Sequence, residues 1–162
     1  MSSIPRKPAL LFVCLGNICR SPLAEAAFRQ AADVAGLAAE AASAGTGDWH
    51  VGSPPDPRAQ AVALRHGIDI GAYRARQVVR ADFERFDAIH ALDLDNLAML
   101  RRLETSGARA RLGLLMDCVP GREGQAVADP YFGDDAGFEE TWRDVSAAAR
   151  ALVAVLGRRA EW

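Results

Sequence analysis

The stretch Ala9-Leu10-Leu11-Phe12-Val13-Cys14 is apolar at every position and runs directly into Leu15-Gly16-Asn17-Ile18-Cys19-Arg20-Ser21-Pro22. Continuous apolarity without alternation marks a strand buried on both faces, the state of a central strand in a parallel sheet. The residues after it include turn formers and a Ser-Pro pair suited to a helix start. A chain that opens this way is committed to a strand–loop–helix unit, because a parallel strand needs a crossover to reach its neighbour.

The rest of the chain repeats the alternation. Ser21 as N-cap and Pro22 at the first position predict a helix with Leu23, Ala24, Ala27, Phe28, Ala31, Val34 and Ala35 on one face, ended by Gly36. Glu40 to Ala44 reads as a short strand, Gly45 to Pro57 as a loop, and Arg58 to His66 as a helix stopped at Gly67. Phe86 to Leu92 reads as a buried strand followed by a helix to Leu103, and Arg111 to Met116 as a fourth strand. Phe138, Trp142, Val145, Ala149, Leu152, Val153 and Leu156 form the stripe of a long final helix. The expected fold is α/β: a single-domain three-layer sandwich with a four-stranded parallel sheet and helices on both faces. A length of 162 residues suits one core, with no repeat or linker, and residues 1–8 are expected to be a flexible N-terminal segment.

Charge and cysteine content narrow the setting. A net charge of −2 gives no electrostatic case for nucleic acid or an anionic membrane as partner. The apolar run from Ala9 to Leu15 is too short to span a bilayer. Three cysteines do not make a disulfide framework, so a reducing cytoplasmic setting is expected, which keeps Cys14 a thiol. His50, His66 and His90 lack metal-ligand spacing with the cysteines, and neither metal nor cofactor is expected.

The loop itself suggests chemistry. Backbone N–H groups left unpaired at a helix N-terminus, together with the helix dipole, make an anion site. Gly16 and Asn17 tolerate left-handed backbone angles and let peptide groups of Leu15 to Ser21 turn inward. Cys14 would lie at the floor as a nucleophilic thiolate, assisted by a Ser21 hydroxyl hydrogen bond. Arg20, six positions later, matches a tetrahedral phosphate with parallel hydrogen bonds that lysine cannot make.

These residues, Cys14 to Pro22 with Leu23-Ala24-Glu25, resemble the active-site motif of the low-molecular-weight protein tyrosine phosphatases. The likeness continues through Ser43-Ala44-Gly45-Thr46, Asp48-Trp49-His50-Val51-Gly52 and Pro55-Asp56-Pro57-Arg58-Ala59. It extends to Arg74-Ala75-Arg76-Gln77 and Asp129-Pro130-Tyr131-Phe132-Gly133, and so covers almost the whole chain. The resemblance implies hydrolysis of phosphotyrosine in a protein substrate through a cysteinyl phosphate, in a monomer or weakly self-associating protein. It implies Asp129 as general acid and then base, although Asp-Pro is more often a plain turn initiator. Trp49, Tyr131 and Phe132 are candidate walls for a phenyl ring, or else pack their loops on the core.

Ser43 is implied to hold Asn17, with a strand-end serine satisfied by backbone as the plain alternative, and Asp93 to orient the site, or simply to cap the helix after its strand. Related protein-arginine phosphatases tend to carry threonine where this chain has Ile18, which favours an aryl phosphate. The resemblance further suggests a reversible disulfide between Cys19 and Cys14; packing as a small hydrophobe is the plain alternative for Cys19. One departure stands out: many members carry a supporting histidine just before Ala-Arg-Gln, where this chain reads Gly71-Ala72-Tyr73-Arg74. Two other activities use similar parts. An arsenate reductase of the same fold would need relay cysteines, and none occurs between Arg20 and Asp117. A phosphocysteine carrier or phosphate-binding module would have no use for Asp129.

Overall fold

The structure, a computed structural model, describes residues 7–158. Strand β1 (Ala9–Cys14) lies inside a sheet with β2 (Glu40–Gly45), β3 (Ala88–Ala91) and β4 (Arg111–Leu114), in the order β2-β1-β3-β4. All pairings are parallel, with Phe12 opposite Ser43 on one side and His90 on the other. The side chains of β1 alternate between two cores. Leu10, Phe12 and Cys14 pack with α1 (Arg20–Val34) and α5 (Asp135–Gly157), where Leu23, Phe28, Trp142 and Val145 are buried. Ala9, Leu11 and Val13 pack with Phe83 of α3 (Asp82–Arg85) and Leu100 of α4 (Leu94–Leu103). The expected three-layer α/β sandwich with four parallel strands is therefore present.

Of the segment expected to be flexible, residues 1–6 lie outside the described residues; Pro8 is buried and its carbonyl accepts from the Glu40 N–H at 2.8 Å. Several boundaries differ from the sequence pattern. α1 begins at Arg20 with Cys19 in the cap position, so Ser21 lies inside the helix and does not cap it. Pro22 remains within the first turn, where a missing N–H costs nothing. Val34 is 85% exposed and Ala32 is buried in its place, because the last turn of α1 has left the core.

α1 ends as expected at Gly36, which has φ +68°. There the Leu37 N–H reaches the Ala32 carbonyl and the Gly36 N–H reaches Asp33. Helix α2 (Pro57–Arg65) ends the same way at Gly67. β3 and β4 are shorter than predicted: Phe86 and Leu92 are buried outside the ladder, and Leu115–Cys118 form a 3-10 turn. The sequence order changes direction at β1, whose neighbours are β2 and β3, and a crevice beyond the carboxyl end of β1 is where such sheets bind ligands.

Candidate active site

Cys14 is the last residue of β1, and the loop to Cys19 curls over it before α1 begins. The Asn17 N–H points at the Cys14 sulfur at 3.3 Å. The Ser21 hydroxyl is 3.0 Å from the same sulfur. Asn17 has φ +59°, and it alone of the described non-glycine residues has a positive φ. Gly16, expected to share that conformation, does not; it is small for another reason. A Cβ there would stand 3.0 Å from Cδ2 of His50.

A chain of side chains holds Asn17 in its strained conformation. Its amide nitrogen donates to the Ser21 hydroxyl (2.8 Å) and the Ser43 hydroxyl (3.0 Å), and its oxygen accepts from the Arg76 N–H (3.0 Å). Ser43 in turn donates to Oε1 of Glu25 at 2.8 Å, and Arg29 donates to Oε2 at 3.0 Å. Since Asn17 donates into Ser21, the hydroxyl hydrogen of Ser21 is free to turn to the Cys14 sulfur at 3.0 Å or to the more distant Ala44 carbonyl at 3.4 Å. Burial raises the Glu25 carboxyl above its ordinary value, against the opposing pull of Ser43 and Arg29. Tyr73 stands in the segment lacking the expected histidine and packs against the core; burial and the charge of Glu25 push its hydroxyl up. Glu25, Arg29 and Arg76 thus carry the support of the loop. Glu25 stands inside the motif, but only the tertiary contact gives it this role.

Arg20 is buried, and its Nη1 donates to Asp93 (2.7 Å) and to the Val127 carbonyl (3.0 Å). Burial works against its charge, but Cys14, Asp93 and Asp129 outweigh it and hold the guanidinium protonated. Asp93 makes two contacts: Oδ1 accepts from the Asn96 N–H and caps α4, and Oδ2 accepts from Nη1 of Arg20. Asp129, remote in sequence, faces the loop, with Oδ2 3.5 Å from Nη2 of Arg20. Its Oδ1 accepts from the Tyr131 N–H at 3.0 Å, so it initiates the turn as well.

The cleft above Cys14 is lined by Leu15, Gly16, Ile18, Cys19, Arg20, Trp49, His50, Asp129, Tyr131 and Phe132. Trp49 and Phe132 are 69% and 95% exposed and stand at its rim, not in the core. The Tyr131 and Phe132 rings meet edge to face, 4.9 Å apart. Cys19 is a free, buried thiol that burial, Asp56 and Cys14 push up, and Cys118 is half-buried with its thiol pushed up to about 11 by burial and Asp117.

Two glycines near the site escaped the sequence reading. A Cβ on Gly45 would lie 2.8 Å from the Leu15 carbonyl oxygen, and one on Gly47 would collide with the Trp49 ring. Their signal, small residues after a strand, is too common to single out. Taken as chemistry, the arrangement offers a buried thiol at the positive end of a helix, a fixed guanidinium, and a carboxyl group at the opposite lip of the cleft.

Residues 9–161 match the family model described as low molecular weight phosphotyrosine protein phosphatase. A low molecular weight protein-tyrosine-phosphatase of Streptomyces coelicolor is 44% identical over 155 residues, covering 93% of this chain and 94% of the relative. The crystal structure of YfkJ from Bacillus subtilis superposes with a TM-score of 0.88 at 37% identity, covering 96% of this chain and 98% of that one. A Drosophila arginine phosphatase superposes with a TM-score of 0.86 at 29% identity, covering 94% of this chain and 99% of that one.

Proposed function

Since the chain belongs to the low molecular weight phosphotyrosine protein phosphatase family, we propose that it hydrolyses phosphotyrosine in protein substrates, and aryl phosphates generally, through a cysteinyl phosphate. The observation that carries this reading is the convergence of Cys14, Arg20 and Asp129 on one cleft across more than a hundred residues of sequence. The phosphoryl group occupies the loop from Leu15 to Ser21. Its oxygens are held by inward N–H groups and by the part of Arg20 not spent on Asp93 and Val127.

The Cys14 thiolate attacks phosphorus while the bond to the phenolic oxygen breaks, and Asp129 gives that oxygen its proton. The resulting Asp129 carboxylate then takes a proton from the water that attacks the cysteinyl phosphate, which returns the thiolate and releases inorganic phosphate. Ser21 stabilises the sulfur in both steps, with its hydrogen aimed by Asn17. Trp49, Tyr131 and Phe132 receive the phenyl ring. Ile18, an apolar residue on the cleft wall, favours an aryl group over a phosphorylated guanidinium. The working state is a cytoplasmic monomer or weak dimer with protein substrates and no nucleic-acid partner. No helix among the described residues is long and apolar enough to cross a membrane.

The test compares p-nitrophenyl phosphate with peptides carrying phosphotyrosine, phosphoserine or phosphoarginine. Turnover of the first two, with Cys14→Ser inactive but folded by circular dichroism, is expected. A Cys14→Ser protein working near the wild-type rate sinks the mechanism, and preference for phosphoarginine sinks the substrate assignment.

A further inference from the structure

Arg58 stands outside the cleft, at the first turn of α2, yet it spans the two loops that build the cleft. Its Nε and Nη2 donate to the Asp56 carboxylate at 3.1 and 3.0 Å. Nη2 also donates to the Tyr131 carbonyl at 2.8 Å, and Nη1 to the Gly133 carbonyl at 3.1 Å. The guanidinium carbon lies 5.7 Å from the centre of the Tyr131 ring and 4.7 Å from that of Phe138, at the start of α5. Asp56 is itself anchored: it caps α2 through the Arg58 N–H at 2.8 Å, and its own N–H donates to the Ile18 carbonyl at 2.8 Å. A continuous strap therefore runs from the phosphate loop at Ile18, through Asp56 and Arg58, to the backbone on both sides of Phe132.

The segment it holds has little else to fix it. Between the buried Val127 and Phe138, only Pro130 is buried, and the residues from Tyr131 to Ala136 are exposed. An exposed loop with so few buried contacts sits at the low end of local stability. A surface Arg–Asp pair alone contributes little. A guanidinium that also takes two carbonyls of a distant loop restricts where that loop can stand, a geometry that needs Arg58's planar fork and not merely its charge.

We propose that Arg58 is a positioning residue for the general acid: by fixing the Tyr131 and Gly133 carbonyls relative to the phosphate loop, it sets where the Asp129 carboxyl meets the leaving oxygen. The proposal rests on Asp129 as the proton donor. It predicts that loss of Arg58 mimics part of the loss of Asp129, selectively for substrates that need the proton.

The experiment measures kcat/KM, which ends at leaving-group departure, across aryl phosphates from dinitrophenyl to unsubstituted phenyl. It is run on wild type, Arg58→Gln, Arg58→Lys, Asp129→Asn and the Arg58→Gln/Asp129→Asn double variant. Arg58→Gln is expected to lose about 10- to 100-fold on phenyl phosphate, the scale of a misplaced catalytic group, and less than about 3-fold on dinitrophenyl phosphate, whose leaving group departs unprotonated. Arg58→Lys, which keeps the charge and can make fewer of these bonds, should show an intermediate slope and guards against a Gln variant that folds poorly. In the Asp129→Asn background the Arg58→Gln change should add no further selectivity. Equal losses on all leaving groups in both Arg58 variants, or additive effects in the double variant, overturn the role of Arg58. A flat leaving-group dependence for Asp129→Asn instead overturns the assignment of Asp129 on which it rests.

Discussion

Arg20 shows how one side chain can be divided between structure and chemistry. Its Nη1 is committed to Asp93 and the Val127 carbonyl, which ties the start of α1 to the cap of α4 after β3 and to the segment after β4. Nη2 points toward Asp129 and the place proposed for the phosphoryl oxygens. Lysine has a single nitrogen and cannot hold Asp93 while reaching phosphate. Arg20→Lys is therefore expected to keep its fold and lose about 10²–10³-fold in kcat, the usual effect of removing one donor to a developing charge. Steady-state kinetics with competitive inhibition by inorganic phosphate checks it; unchanged phosphate affinity would remove Arg20 as the clamp. The loop-supporting relay follows the same logic. Glu25, buried and paired with Ser43 and Arg29, holds Ser43, which in turn accepts from the Asn17 amide.

At the scale of elements, the phosphate loop is shaped from outside by the end of β2. The Thr46 and Gly47 N–H groups donate to the Cys14 and Leu15 carbonyls at 2.9 and 3.0 Å. The Cα of Gly45 lies close enough to the loop backbone that a methyl group would come within 2.8 Å of the Leu15 oxygen. Backbone on both sides leaves no flexible side chain to move aside. Gly45→Ala should therefore cost about 1–3 kcal/mol in stability, the range for overpacking, and lower kcat/KM because the loop must shift. Chemical denaturation and aryl phosphate kinetics on the same sample test this. A variant as stable and active as wild type would show that the contact relaxes freely.

Over the whole molecule, the sheet places one titratable group where protonation is costly. His90 lies in β3 with its ring stacked on Phe12 at 5.6 Å, and its Nε2 has no hydrogen-bond partner among the described residues. Burial drives its titration down from 6.5 to about 4. The folded state thus binds fewer protons than the unfolded chain between these values. The stability His90 permits is fully present above about pH 6.5 and is lost as pH falls toward 4. At about 1.4 kcal/mol for each tenfold change in proton affinity, the loss amounts to about 3 kcal/mol. Urea unfolding at pH 7 and pH 4.5 should show a smaller drop in His90→Leu than in wild type. Equal drops would mean that the folded protein takes up the proton without penalty.

How much of this could be read before folding depends on how local each signal is. Apolar continuity in Ala9 to Cys14, glycines past helix ends at Gly36 and Gly67, and the stripe from Phe138 to Leu156 are set by burial and backbone conformation within one element, so they are legible in the chain. So is the spacing of Cys14 and Arg20, because one loop and one helical turn fix it. The boundaries of β3 and β4 are not, since a ladder ends where its neighbour ends, and neither is the exposure of Val34, which depends on how far the last turn of α1 stands out from the core. Only tertiary structure brings Asp129 to Arg20, Glu25 to Ser43 and Arg58 to the Tyr131 carbonyl. Each of these contacts joins residues on different elements or loops, and their distances are set by how those elements pack and not by any one stretch of sequence.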